Sequence, residues 1–143
     1  MTVKAILSNK GDQVLSIEPH ATLATAVQSL AQRRIGALVV TGADDRLVGI
    51  ISERDIVRVL AEKGSDVLAV PVSEVMTRKV VTCRLDDTIA ALMELMTAGK
   101  FRHVPVVEQG RLAGMVSIGD VVKARLGQLE REQDALRDYI RTA

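Results

Sequence analysis

One phrase occurs twice in this chain. Gly49-Ile50-Ile51-Ser52-Glu53-Arg54-Asp55 and Gly114-Met115-Val116-Ser117-Ile118-Gly119-Asp120 share the order small-apolar-apolar-Ser-x-x-Asp, at an offset of 117 − 52 = 65 residues. The repetition extends upstream. Thr22-Leu23 precedes Thr88-Ile89 by 88 − 22 = 66 residues, and Leu38-Val39-Val40 matches Val104-Pro105-Val106 at the same offset. The offset drops by one after the turn because Ala43-Asp44-Asp45 is one residue longer than its counterpart near Gln109-Gly110. Even the lead-ins agree: Val3-Lys4-Ala5-Ile6-Leu7-Ser8 parallels Val72-Ser73-Glu74-Val75-Met76-Thr77, with Lys10-Gly11-Asp12 reading as an insertion in the first copy. Internal repetition requires the same local structure twice, and a unit too small to bury its own apolar face must pack against its twin.

Periodicity assigns the elements. Leu23, Val27, Leu30 and Arg34 step by four, three and four, and Ile89, Leu92, Met93 and Met96 also return to one face, so each copy carries an amphipathic helix. Thr22 and either Asp87 or Thr88 suit N-caps, while Gly36 and Gly99 stand where a left-handed C-terminal residue is expected. Val14 to Ile17 and Val80 to Cys83 read as a first strand in each copy. Ala37 to Thr41 with Leu47 to Ile51, and Val104 to Val107 with Leu112 to Val116, read as antiparallel pairs across short polar turns. The expected fold is α+β: two β-α-β-β-α repeats packed sheet to sheet about a pseudo-two-fold axis, plus a C-terminal helix. The division is 1–71, 72–125 and 126–143. In the last segment Leu126, Leu129, Gln133, Leu136 and Ile140 form a stripe on a charged helix, fit either for the chain's own body or for a second subunit.

Composition narrows the function classes. A net charge of +1 and two aromatic residues, Phe101 and Tyr139, offer neither a phosphate-backbone patch nor a base-stacking platform, so no nucleic-acid partner is expected. No apolar run approaches the ~20 residues that span a bilayer, and nothing at the N-terminus resembles a signal peptide. One cysteine, Cys83, excludes an internal disulfide, which suits a cytoplasmic setting.

Two uses of Ser-x-x-Asp compete. In a capping box the hydroxyl and carboxylate satisfy orphan N–H groups of the first helical turn, although Asp reaches back less well than the usual Glu or Gln. Alternatively, a strand runs straight into a helix whose positive end meets a phosphate, and an Asp one turn in accepts the two hydroxyls of a ribose.

Val75-Met76-Thr77, Phe101-Arg102-His103-Val104-Pro105-Val106-Val107 and Gly114 to Val122, with Ile35 to Val40 and Gly49 to Val57 in the first half, resemble a cystathionine-β-synthase-type (CBS) domain pair over residues 3 to 125. The resemblance implies two related clefts for adenosine-containing ligands, most often AMP, ADP or ATP, sometimes S-adenosylmethionine or NAD. Position by position it implies Asp55 and Asp120 on ribose hydroxyls, Ser52 and Ser117 beside the ribose and α-phosphate, and Ser16 and Thr82 flanking the clefts. Main chain near Ala37-Leu38 and His103-Val104-Pro105 would read the adenine edge. The copies diverge at Arg54, a cation for phosphates, against Ile118-Gly119, where backbone can approach closely, with Arg102 and His103 nearby. The second site matches the family pattern more fully, since Gly36-Ala37 replaces Arg102-His103 in the first.

Other candidates are weaker. His103 lacks partners at metal-ligand spacing, His20 sits in a Pro19-containing lead-in, and Cys83 reads as an inert buried thiol. Asp44-Asp45 reads as a turn. Gly-x-Gly-x-x-Gly, a Walker lysine and a nucleophile elbow are missing, so the chain reads as non-catalytic. The expected role is regulation of an unknown partner protein by a homodimer that senses an adenine nucleotide; the alternative is a structural or oligomerisation module.

Overall fold

The computed structural model describes residues 1–11 and 13–142; Asp12 of the expected insertion and Ala143 lie outside the described residues. The order is α1 (Val3–Lys10), β1 (Ser16–Ile17), α2 (Leu23–Arg33), β2 (Ala37–Thr41), β3 (Leu47–Ser52), α3 (Glu53–Lys63), α4 (Ile89–Gly99), β4 (His103–Glu108), β5 (Arg111–Ser117) and α5 (Ile118–Thr142). The architecture is α+β, with two repeats, a small sheet in each and a C-terminal helix. In the first sheet β1 runs parallel to β2 and β2 antiparallel to β3; in the second, β4 and β5 pair antiparallel. The strand expected at Val80 to Cys83 is reduced to one parallel bridge, Cys83 to Val106, made by Cys83 N–H to the Pro105 carbonyl at 3.0 Å and Val107 N–H to the Cys83 carbonyl at 2.9 Å.

Helix starts follow the sequence. Thr22 Oγ1 accepts from Thr25 N–H at 3.3 Å and Thr88 Oγ1 from Ala91 N–H at 3.1 Å. Helix ends do not. The left-handed residues are Arg34 (φ 53°) and Lys100 (φ 57°), not Gly36 and Gly99. The two glycines answer to crowding instead: a Cβ would sit 3.2 Å from His103 Cε1 at Gly36 and 2.0 Å from the Phe101 ring at Gly99. Gln109 (φ 52°) and Gly110 (φ 77°) make the two-residue turn between β4 and β5, where positive φ at both positions matches the strands' twist.

The lead-ins cross over. Val3, Ile6 and Leu7 of α1 pack with Ile89, Leu92 and Val116 in the core of the second repeat. Val67, Val72 and Met76, from the connection between repeats, pack with Leu23, Leu38 and Ile51 in the core of the first. The main chain repeats the exchange, with Thr2 bridged to Thr88 and Pro71 to Thr22. Two glycines admit the visiting side chains: a Cβ on Gly114 would meet Leu7 Cδ1 at 2.7 Å, and one on Gly49 would meet Met76 Sδ at 2.5 Å. Each core is therefore completed by chain that precedes the other copy, which makes the tandem pair one folding unit.

Candidate ligand-binding clefts

Both Ser-x-x-Asp phrases sit where a strand turns directly into a helix. Ser52 Oγ accepts from Asp55 N–H at 3.2 Å and Ser52 N–H donates to Asp55 Oδ2 at 3.1 Å; Ser117 Oγ accepts from Asp120 N–H at 3.2 Å and Ser117 N–H donates to Asp120 Oδ2 at 2.8 Å. The capping box is closed in both copies. Asp, expected to reach back less well than Glu or Gln, closes it in both: the extended Ser backbone (φ −116°, ψ 163° at Ser52) brings its own N–H within reach of the shorter side chain.

The two carboxylates differ in what else they hold. Asp55 is 6% exposed, and its Oδ1 accepts from Arg58 Nη2 at 3.1 Å, with Thr77 Oγ1 at 3.4 Å. Asp120 is half-buried, and its Oδ2 is shared with Lys10 Nζ at 2.7 Å; Lys10 also donates to the Met115 carbonyl at 2.9 Å. Asp120 Oδ1 has no hydrogen-bond partner among the described residues. Burial pushes the Asp120 carboxyl up, but Lys10 and the Ser117 hydrogen bonds outweigh it and hold the group below its ordinary value.

Each junction opens toward the other repeat. The first cleft, about 440 Å³, gathers Ser52, Arg54 and Asp55 from the β3–α3 junction, Ala37 and Ile50 from the sheet, and Arg102 and His103 from the second repeat. Arg58 and Lys100 add two more cations. The second cleft, about 320 Å³, sets Ser117 and Met115 against Gly36, Ala37 and Arg34 of the first repeat, with His103 and Lys10 at its sides. Asp120 lines a separate hollow of about 300 Å³ beyond Lys10, together with Lys123 and Arg131. The two main clefts share one wall of Gly36, Ala37 and His103. Burial, and then the Lys10 charge, push the His103 imidazole below its ordinary value, so it is held neutral between them.

The structure thus gathers Ser52, Arg54, Asp55, Ala37, Arg102 and His103 around one cleft and Ser117, Ala37 and His103 around the other. Ser16 and Thr82 are exposed and line neither cleft, as are Ile118 and Gly119 in the first turn of α5. Leu38, Val104 and Pro105 are buried in the sheets, leaving only main chain to face a ligand. Lys10, Thr77 and Phe101 enter the clefts without having been singled out. The parallel of the two lead-ins places Thr77 beside Met76, but only the exchanged packing shows that this residue reaches the first repeat. Cys83 is buried, its thiol pushed up to about 12 by burial and then by Asp87, in keeping with an inert group. Among the described residues no group of three His, Cys, Asp or Glu is placed to hold a metal ion, and no helix is long and apolar enough to cross a membrane.

Paired small α+β repeats with exchanged lead-ins and two clefts at their junction define a tandem-repeat module whose candidate sites lie between the copies. The CBS domain family model matches residues 3–62 and again 72–127, and the chain belongs to that family. It is 35% identical to the mitochondrial CBS domain-containing protein CBSX3 of Arabidopsis thaliana over 97% of this chain and 71% of the relative. Among solved structures, the CBS-domain protein ATU1752 from Agrobacterium tumefaciens is 49% identical and superposes with a TM-score of 0.84 over 87% of this chain and 99% of its own. The CBS domain pair of MJ0100, solved in complex with 5′-methylthioadenosine and S-adenosylmethionine, is 26% identical with a TM-score of 0.79 over 90% of this chain and 98% of its own.

Proposed function

We propose that this chain is a non-catalytic regulatory module that binds an adenosine-containing ligand between its repeats and signals that occupancy to a partner protein. The observation that carries the reading is the pair of inter-repeat clefts opening at the two Ser-x-x-Asp junctions. The adenosine compounds held by the MJ0100 domain pair support the ligand class. The charge of the first cleft narrows it. Arg54, Arg58, Lys100 and Arg102 against Asp55 and Glu53 leave an excess of positive charge, which favours the phosphates of AMP, ADP, ATP or NAD over the cationic sulfonium of S-adenosylmethionine. Asp55 and Asp120 are the candidate ribose acceptors, and among the described residues Asp120 Oδ1 is the one of the four oxygens that needs no partner displaced. Signalling requires the ligand to favour one packing of the repeats over another.

A thermal-shift and calorimetry panel of AMP, ADP, ATP, NAD, S-adenosylmethionine and 5′-methylthioadenosine tests this. A phosphorylated adenosine ligand at 100 times its dissociation constant is expected to add about 2.7 kcal/mol of stability. No response to any member of the panel would overturn the proposal and favour a module used only for assembly, a reading that the closed capping boxes also support.

A further inference from the structure

The first turns of α5 rest on the body through Val121 and Ala124, but the helix runs on to Thr142. A second apolar stripe, displaced by roughly 100° around the helix, faces outward: Val122, Leu126, Leu129, Leu136 and Ile140 are between 44% and 65% exposed. These positions, with Gln133, alternate by four and three residues over about 27 Å of helix. Assigning Leu126, Gln133 and Ile140 to heptad position a, and Val122, Leu129 and Leu136 to d, puts Arg125 and Glu132 at g and Lys123, Glu130 and Arg137 at e.

We propose that α5 is one strand of a parallel, in-register coiled coil formed with a second copy of this chain. The flanking charges choose both partner and direction. In a parallel pair each g position meets the e position five residues on in the other helix, so Arg125 faces Glu130 of the second copy and Glu132 faces its Arg137. Both contacts, and their two symmetry mates, join opposite charges. An antiparallel pair centred on the same stripe sets Glu130 against Glu130, Glu132 against Glu132 and Lys123 against Arg137, all like charges. Leucine at d with Ile140 at a suits two strands, and the single polar Gln133 meets its own copy across the axis only in the in-register arrangement.

Light scattering and sedimentation of the full chain test the pairing. The expected result is twice the chain mass, and the double variant Leu129→Glu with Leu136→Glu is expected to sediment as a monomer. Both side chains are exposed in the single chain, so its helical circular dichroism and ligand responses serve as controls for folding. Arg137→Glu alone is expected to weaken the dimer several-fold, and combining it with Glu132→Arg to restore it. Ile140→Cys is expected to cross-link the two copies on mild oxidation, since like positions meet only in parallel helices and Cys83 is buried. A wild-type monomer at every concentration, a dimer indifferent to the two glutamates, failure of the paired charge reversal to rescue, or a dimer that Ile140→Cys cannot cross-link would overturn the proposal.

Discussion

The two Ser-x-x-Asp junctions are built alike and equipped differently. In the first, Asp55 is buried under Arg58 and Thr77 with both oxygens engaged, and the cleft beside it is the larger and carries four cations. In the second, Asp120 keeps one oxygen with no hydrogen-bond partner among the described residues, but Lys10 is drawn across it from α1 and divides the space in two. The same cap chemistry therefore serves a saturated, buried carboxylate in one copy and an available, lysine-guarded one in the other. Duplication conserves the backbone geometry, and a single inserted segment is enough to change what a ligand meets.

The symmetry beneath that difference is the easiest to break. Leu7→Ala and Met76→Ala each empty a place in the opposite repeat's core and are expected to cost about 2–5 kcal/mol in urea unfolding. Exchange of lead-ins further implies that Leu7→Ala loosens amides of the second repeat first in hydrogen exchange, and Met76→Ala those of the first. Loosening confined to the neighbouring residues in the chain would contradict the exchange.

Asp120→Glu sharpens the contrast at the level of binding. The longer acid keeps the capping box, so stability is expected to hold, while a displaced ribose acceptor loses roughly 1.5–3 kcal/mol, a ten- to hundredfold weaker complex by calorimetry. Unchanged affinity would remove Asp120 from the site. For stability the order reverses between copies: Asp55→Ala, which takes a buried acceptor away from Ser52, Arg58 and Thr77, is expected to cost about 1–3 kcal/mol, and Asp120→Ala only about 1 kcal/mol.

Lys10→Met acts on the second junction alone. The Lys10–Asp120 pair is partly exposed, so the stability change is expected to stay within ~1 kcal/mol. Binding should split by ligand, with methylthioadenosine gaining an unguarded carboxylate and ATP losing a cation; a parallel shift for both would show that Lys10 does not discriminate. The smallest effect is in pH. Asp120 is held below its unfolded value of about 3.9, so its contribution is complete above that value and is lost as pH falls through the folded one. His103 is also depressed, so the unfolded chain binds the extra proton and stability declines as pH drops below about 6.5. Lys10→Met should flatten the acid limb of a stability-pH curve and His103→Gln the limb that begins as pH falls below about 6.5.

Much of the fold was legible because it depends on local chemistry stated twice. Threonine caps, apolar strand pairs across short polar turns and the Gln109-Gly110 turn each have a short-range cause, and the matching offsets confirm the register. Gly36 and Gly99 misled because glycine has two uses: close approach by His103 and Phe101 outweighed the need for positive φ, which Arg34 and Lys100 adopt instead. The exchange of lead-ins was invisible for a different reason. Val3 to Ser8 and Val72 to Thr77 match each other, and equivalence says nothing about which core each enters. Lys10 was hidden too, since an insertion shows in the register while the path of its side chain across 110 residues of sequence does not. At the sites, Ser52, Asp55 and Ser117 could be read from spacing, whereas the fit of Asp in a capping box depends on the extended backbone at the serine, which spacing does not show.

One imidazole, neutral and laid over Gly36, is a boundary held in common by two compartments. Under the proposed reading, a ligand in the first that turned this ring would change the width left for the second, and linkage would then require the two occupants to alter each other's affinity by the same factor.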